Sequence, residues 1–363
     1  MTTPNLFVCS LEGFSGKSMF CLGLALTLRE QGLNVGYFKP VGWEMVREPD
    51  GRKVDEDAQL MKEALNLKVP LEVICPIILG TRFLEESSKI DPKTCEKSVL
   101  QAYEKASDGM DVMIVEGPPA LGVGASIGVD CMSLAKKWDS RIVLVSTMCD
   151  DTVVDRVILQ KKVMDTFHGN FLGAVLNCIP KTSIERVKGF ASPILRKHGI
   201  DVLGVIPDQV SLRAPTVGEI CKNITCTVLT CKDRMDLLVE DLLVGAMTPE
   251  SAVSYFRKSL RKAVITGGDR VGVQLAALQT DTSVLILTGN IYPDVRILAR
   301  AEQVGVPVLL VPYDTYTTVK EVANLSGRIK PGETKKIELA KNLVKEYVNW
   351  KTISSALMNY QNA

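Results

Sequence analysis

A short apolar run, Leu6 to Cys9, passes through Ser10-Leu11-Glu12-Gly13-Phe14-Ser15-Gly16-Lys17-Ser18 directly into a helical pattern over Met19 to Glu30 that stops at Gly32. This order of strand, small-residue loop and helix is the one a phosphate loop requires, and no other feature of the chain constrains the fold as strongly. Successive backbone N–H groups in such a loop form an anion-binding concavity, and the helix N-terminus adds its positive dipole end. The lysine then neutralises phosphate charge and the serine hydroxyl can ligate magnesium. Gly13, Ser15 and Gly16 leave room for close backbone approach, although Leu11 stands where the usual pattern opens with a glycine. The loop residues Glu12, Gly13, Ser15, Gly16, Lys17 and Ser18 are therefore the first expected nucleotide contacts.

Further apolar runs at Val35 to Phe38, Val112 to Val115, Ile142 to Ser146, Leu172 to Leu176 and Leu203 to Ile206 alternate with longer helical patterns. Such alternation predicts parallel strands covered by helices. A second, shorter alternation follows, with strands at Ala263 to Thr266, Val284 to Thr288 and Val308 to Val311 and helices starting near Val271 and Pro293. Between the two, the charged stretch from about Met235 to Ser259 reads as helical, with Thr248 as an N-cap before Pro249 and Glu250. After the second alternation, Ile337, Leu339, Ala340, Leu343, Val344 and Val348 form the apolar stripe of one more helix. The expected fold class is α/β: a P-loop NTPase-like parallel sheet with helices on both faces, a second smaller α/β domain and a C-terminal helix. The boundaries this predicts are 1–231 for the nucleotide domain, 232–246 for a helical connector, 247–330 for the second domain and 331–363 for the terminal segment.

With 43 basic and 42 acidic residues the formal charge is +1, so there is no net positive field to attract nucleic acid or an anionic membrane. Met1 to Asn5 lacks a basic region, and the apolar stretch Met19 to Leu28 is too short to span a bilayer. A cytoplasmic protein is expected, with no nucleic-acid and no membrane partner. Ten cysteines scatter through apolar stretches and read as reduced core thiols. Cys221, Cys226 and Cys231 recur at a spacing unlike the usual zinc patterns, and the chain has only two histidines.

Two more charged groups fall where ligands collect in open parallel sheets. Lys39 ends the strand Tyr37-Phe38, and Glu116 ends Val112-Met113-Ile114-Val115 as the acidic residue of magnesium-holding strands does. Taken in chain order, the Gly16-Lys17-Ser18 loop, Phe38-Lys39-Pro40-Val41, Asp57-Ala58, Val115-Glu116-Gly117 and Leu176-Asn177 resemble dethiobiotin synthetase. The resemblance implies ATP and Mg2+ as cofactors, with Lys17 on phosphate, Ser18, Asp57 and Glu116 as the magnesium set, Lys39 on substrate or phosphate, and Asn177 reading the adenine edge. Pro118 and Pro119 depart from that family's glycine-rich stretch and remove two N–H donors. Glu12 stands where the related deviant-loop ATPases carry a signature lysine.

The second alternation contains Val264-Ile265-Thr266-Gly267-Gly268-Asp269-Arg270, Gln274-Leu275-Ala276-Ala277-Leu278, Leu287-Thr288-Gly289-Asn290 and Val311-Pro312-Tyr313-Asp314-Thr315, which resemble the DRTGG domain. Gly267, Gly268, Asp269 and Arg270 are candidates for an effector site, because the Arg270 fork suits an anion or carboxylate. The same residues equally suit a helix cap or a subunit interface. A dethiobiotin-synthetase-like domain followed by a DRTGG domain resembles the N-terminal regulatory half of long phosphotransacetylases, whose acetyl transfer belongs to a further domain for which the chain, ending at Ala363, leaves no room. Two readings follow. One is a regulatory nucleotide-sensing protein, dimeric through the DRTGG-like unit and open to a small-molecule effector. The other is a Mg-ATP-dependent ligase acting on a carboxylate.

Overall fold

The computed structural model describes residues 3–42, 45–47, 53–80, 83–148, 150–323, 325 and 328–359; Met1 and Ala363, the limits of the first and last expected segments, lie outside the described residues. The chain forms two compact units, Met1–Asp208 with Ile329–Ala363, and Gln209–Arg328.

In the first unit the chain runs through β1 (Asn5–Ser10), α1 (Lys17–Glu30), β2 (Val35–Phe38), α2 (Glu56–Ala64), α3 (Pro92–Ser107) and β3 (Val112–Glu116). It continues through α4 (Cys131–Lys137), β4 (Arg141–Thr147), α5 (Val153–Thr166), β5 (Asn170–Ile179), α6 (Ser192–Lys197) and β6 (Val202–Pro207). The strands form one sheet in the order β6-β5-β4-β1-β3-β2, every neighbouring pair parallel. Alternate strand residues such as Phe7, Cys9, Met113, Val115, Ile142 and Leu144 join residues of α3, α4, α5 and α6 in one core. Their neighbours Leu6, Val8, Ile114 and Val143 are also fully buried, so the sheet is covered on both faces and its strands read as continuous apolar runs. Each of α2, α3 and α4 begins on an aspartate (Asp55, Asp91, Asp130) whose carboxylate accepts a first-turn N–H.

The second unit contains α7 (Val217–Asn223), β7 (Thr227–Val228), β8 (Asp241–Val244), α8 (Pro249–Phe256), β9 (Lys262–Gly267), α9 (Val271–Leu278), β10 (Thr282–Thr288), α10 (Val295–Val304), β11 (Val308–Leu310) and α11 (Thr315–Ala323). Its sheet order is β7-β11-β10-β9-β8, with β8 to β11 parallel and β7 antiparallel at the edge. Residues of α8, α9 and α10 cover one face and residues of α7 and α11 the other.

Three sequence expectations change here. The helical connector over 232–246 instead carries β8, whose Asp241 to Val244 pair in register with Lys262 to Ile265. The apolar run Leu242-Leu243-Val244 is too short for periodicity to separate strand from helix, and pairing with β9 decides it. The break between units falls at Gln209 rather than after residue 231, because α7 supplies Val217 and Ile220 to the second core and β7 pairs with β11. Finally, the terminal segment, bounded separately at 331–363, packs back within its own chain, as its apolar stripe suits it to do. It forms α12 (Thr334–Tyr347) and α13 (Trp350–Met358), and it belongs to the first unit.

The helix α12 packs directly on α1. A Cβ added to Gly23 of α1 would lie 2.5 Å from the Ala340 carbonyl oxygen and 2.6 Å from Val344 Cγ2. Glu30, at the end of α1, accepts from the ammoniums of Lys341 and Lys345 at 2.7 Å each, and they hold its carboxyl down at about 2. Beyond α12, the Asn349 N–H donates to the Leu203 carbonyl at 2.7 Å. Gly23→Ala tests this packing. Helix propensity alone would favour alanine by about 1 kcal/mol, but a backbone carbonyl cannot rotate out of the way, and overpacking costs about 1–3 kcal/mol. A net loss of stability in urea unfolding is expected, and a gain would contradict the close approach of α1 and α12.

Candidate functional site

The chain leaves β1 and meets α1 through residues 11–16, and the sheet order places β1 between β3 and β4, beside the strand exchange where ligands bind in open α/β sheets. Gly16 caps α1 in the left-handed conformation, φ +80°, with no side-chain cap. The N–H groups of the first helical turn therefore have no intrahelical acceptor and are free to meet an anion. Asn177, at the carboxyl end of β5, is buried and donates its Nδ2 to the Ser15 carbonyl at 2.9 Å. A Cβ on Gly16 would lie only 2.1 Å from that nitrogen. Ser15 itself is fully buried with a hydroxyl that has no hydrogen-bond partner, an orphan polar atom inside the loop.

Around this loop the charged residues converge. Lys17 is buried and its ammonium donates to Ser10 Oγ at 2.7 Å; burial lowers its pKa, and the nearby Glu116 opposes that. Ser18 Oγ donates to Glu116 Oε1 at 2.8 Å, and the Tyr37 hydroxyl donates to Glu116 Oε2 at 2.9 Å. Burial is also the main reason the Glu116 carboxyl is pushed above its ordinary range, against the pull of Lys39. Lys39, just past β2, reaches Asp57 at 2.6 Å, Asp55 at 2.9 Å and Glu116 at 4.0 Å. Burial would lower the Lys39 pKa, but Asp57, Asp55 and Glu116 outweigh it and raise it well above the ordinary lysine value.

The structure thus brings Lys17, Ser18, Lys39, Asp57 and Glu116 to one edge of one sheet. Glu12 and Asn177 sit differently from the sequence expectation. The Glu12 carboxylate accepts from Thr147 Oγ1 at 2.6 Å and pairs with Arg156 at 3.5 Å, so its side chain is engaged with β4 and α5. Asn177 spends its amide nitrogen on the loop backbone, which makes it a brace for Ser15 and Gly16. A Cβ on Gly13 would meet nothing closer than Pro119 Cβ at 3.8 Å, so space alone does not demand glycine there.

Sequence reasoning missed Ser10, Tyr37 and Asp55. Of these, Asp55 was open to discovery, since an aspartate two residues before Asp57 at the start of an amphipathic run is a helix-cap signal. Tyr37 gave no signal beyond a buried strand position; only the tertiary fold shows its hydroxyl on Glu116.

Magnesium in phosphate sites is held by one or two carboxylates together with phosphate oxygens and water. Among the described residues no three His, Cys, Asp or Glu groups form a ready cation cage. Ser18, Asp57 and Glu116 supply hard oxygen ligands, and among the described residues three carboxylates face two ammoniums, so the residues present fit a divalent cation that arrives with phosphates.

In the second unit, Gly267 ends β9 and Gly268 lies against the β10–α10 connection, where a Cβ would fall 1.8 Å from the Ile291 carbonyl oxygen. Arg270 donates from Nη2 to the Met247 carbonyl at 2.8 Å, and neither Asp269 nor Arg270 caps α9 through its side chain. Gln274, fully buried, donates to the Gly267 and Gly268 carbonyls at 2.8 and 3.0 Å. The turn is therefore held from inside by a residue that belongs to the motif but to which the sequence reading assigns no role.

The contact between Gly16 and Asn177 is open to a double-mutant cycle. Gly16→Ala is expected to cost about 1–2 kcal/mol for the left-handed backbone and about 1–3 kcal/mol more for displacing Asn177. In an Asn177→Ala background only the first part should remain, and additive urea-unfolding energies would rule out the contact.

The AAA domain family profile matches residues 4–216, and the DRTGG domain profile matches residues 219–325. Phosphate acetyltransferase of Nitratidesulfovibrio vulgaris is 26% identical over 387 aligned residues, covering 99% of this chain and 52% of the relative. Phosphate acetyltransferase of Pseudomonas putida is 27% identical over 370 residues, covering 95% of this chain and 50% of the relative. ATP-dependent dethiobiotin synthetase of Methanococcus vannielii is 27% identical over 215 residues, 56% of this chain and 93% of the relative. The chain thus spans about half the length of the phosphate acetyltransferases it matches. With its phosphate loop, parallel sheet and profile match in agreement, the chain belongs to the AAA domain family as a P-loop nucleotide-binding protein, and its second unit is a DRTGG domain.

Proposed function

We propose that this chain is a regulatory module that binds Mg-ATP at the first unit and senses it, or a second small-molecule effector, together with the DRTGG unit. The observation that carries this reading is the convergence of Lys17, Ser18, Lys39, Asp57 and Glu116 on the carboxyl edge around a loop whose first-turn N–H groups are uncapped. Lys17 would leave Ser10 for the phosphates. Ser18, Asp57 and Glu116 would hold the magnesium, whose charge screens that of the triphosphate. The match to phosphate acetyltransferases across both units supports a role associated with acetyl-transfer chemistry. Asn177 as loop brace predicts no part in choosing the base.

Among the described residues no helix is long and apolar enough to cross a membrane. A homodimer through the DRTGG unit belongs to the same proposal, supported by Leu260, Tyr292, Val295 and Tyr316, which stand 64%, 66%, 77% and 78% exposed on that unit. Sedimentation velocity of the full chain at micromolar concentration should show a dimer, and a monomer there would remove that part.

The ligase reading keeps one specific support, the lysine and carboxylate set itself, and turnover separates the two. ATP titration with phosphate-release assays, with and without candidate carboxylic acids, should give saturable binding without acid-stimulated release; stoichiometric release dependent on an acid would favour the ligase. Lys17→Ala should weaken ATP binding about ten- to a hundredfold by loss of a charged hydrogen bond, with the fold retained by far-UV circular dichroism. Undiminished affinity would refute the phosphate-loop assignment.

A further inference from the structure

Lys39 sits in an unusual position for a residue expected to contact a ligand. Its ammonium is turned into the protein, against three carboxylates, and its side chain is 6% exposed beside Asp55 at 0%, Asp57 at 13% and Glu116 at 3%. Two of those carboxylates, Asp57 and Glu116, are the ones that would hold magnesium. The third, Asp55, is fixed on the far side by its cap of α2, accepting from the Ala58 N–H at 3.0 Å, and its Oδ2 is buried without a partner.

Buried like charges cannot stand this close without a counterion. Lys17 acts on Glu116 only through its charge, because its ammonium is bonded to Ser10 and makes no ion pair with these carboxylates. Among the described residues, Lys39 lies within ion-pair distance of all three carboxylates.

We propose that the Lys39 ammonium is a built-in counterion that holds the cation seat of the phosphate site closed until a divalent metal enters, and that Asp55 retains the lysine once Asp57 is given up. This rests on the reading of Ser18, Asp57 and Glu116 as the metal set. Lys39 then has two roles in sequence: it keeps the carboxylates stable in the nucleotide-free protein, and it makes metal binding conditional on phosphates that repay its displacement. Asp55 is a positioning residue, since it touches neither metal nor nucleotide and acts through Lys39. A free metal ion, which brings no phosphate to receive the displaced ammonium, has to compete with the lysine for Asp57; a metal–nucleotide complex brings that acceptor with it.

The test uses Mn2+ as probe on the full chain, with free Mn2+ followed by electron paramagnetic resonance, in the absence and presence of ATP. Wild type should bind Mn2+ weakly alone and tightly with ATP. Lys39→Met should bind Mn2+ without ATP about ten- to a hundredfold more tightly than wild type, as removal of a unit charge within about 4 Å predicts. Asp55→Asn should keep weak nucleotide-free binding and lose about tenfold of the Mn2+ affinity seen with ATP, since a hydrogen bond between charged groups is lost. If Lys39→Met is unfolded without metal, Mn2+ should restore its far-UV circular dichroism. Binding or refolding of Lys39→Met that is no more metal-dependent than wild type overturns the counterion role. Absence of Mn2+ binding to wild type even with ATP overturns the metal set itself, and the inference with it.

Discussion

Two ammonium groups and three carboxylates, packed almost out of reach of water, set the terms for the first unit. Such groups are tolerated only where opposite charges lie close by and their geometry is fixed. The five groups come from four pieces of chain: Lys17 from the start of α1, Lys39 from beyond β2, Asp55 and Asp57 from the start of α2, Glu116 from the end of β3. The register Phe38↔Val115 and Val8↔Glu116 holds these ends level. A slip of one residue in either pairing would turn Glu116 to the other face of the sheet and leave Lys39 with Asp55 and Asp57 alone. The sheet is therefore as much a device for aligning these charges as a core.

The loop depends on a second constraint of the same kind. Gly16 is left-handed and has the Asn177 amide where a side chain would be, so β5 must deliver Asn177 to one spot. A packed contact of this sort links the end of β5 to the start of α1 and keeps the first-turn N–H groups of that helix facing the same way. From the other end, α12 holds α1 through the Gly23 contact and the ion pairs of Glu30. The chain leaves the first unit at Asp208, builds the DRTGG unit, and returns at Ile329 to complete the support of the phosphate-loop helix.

Much of this was legible in the sequence, for definite reasons. Strands buried on both faces are written as apolar runs, and β1, β2, β3 and β4 fall where those runs do. The phosphate loop carries its own spacing, and Lys39 and Glu116 mark strand ends. What escaped was set by tertiary pairing. The strand β8 is three apolar residues in a charged stretch, and only its partner β9 makes it a strand. The resemblance implies that Asn177 faces the base, whereas its amide nitrogen is turned to the Ser15 carbonyl. The resemblance points to Asp57, whereas the only mark of Asp55 in the sequence is the helix cap that fixes it. The resemblance identified which residues gather; the partner each side chain chooses came only from the folded geometry.

A crystal structure of the protein grown with Mg2+ and a non-hydrolysable ATP analogue tests the central claim most directly. The account predicts phosphate oxygens against the N–H groups of Lys17 and Ser18, a metal in contact with Ser18 and Glu116, Lys17 withdrawn from Ser10, and Lys39 withdrawn from Asp57 but still on Asp55. An analogue bound elsewhere, or a phosphate loop left empty at saturating analogue with the Lys17–Ser10 and Lys39–Asp57 contacts intact, would contradict it.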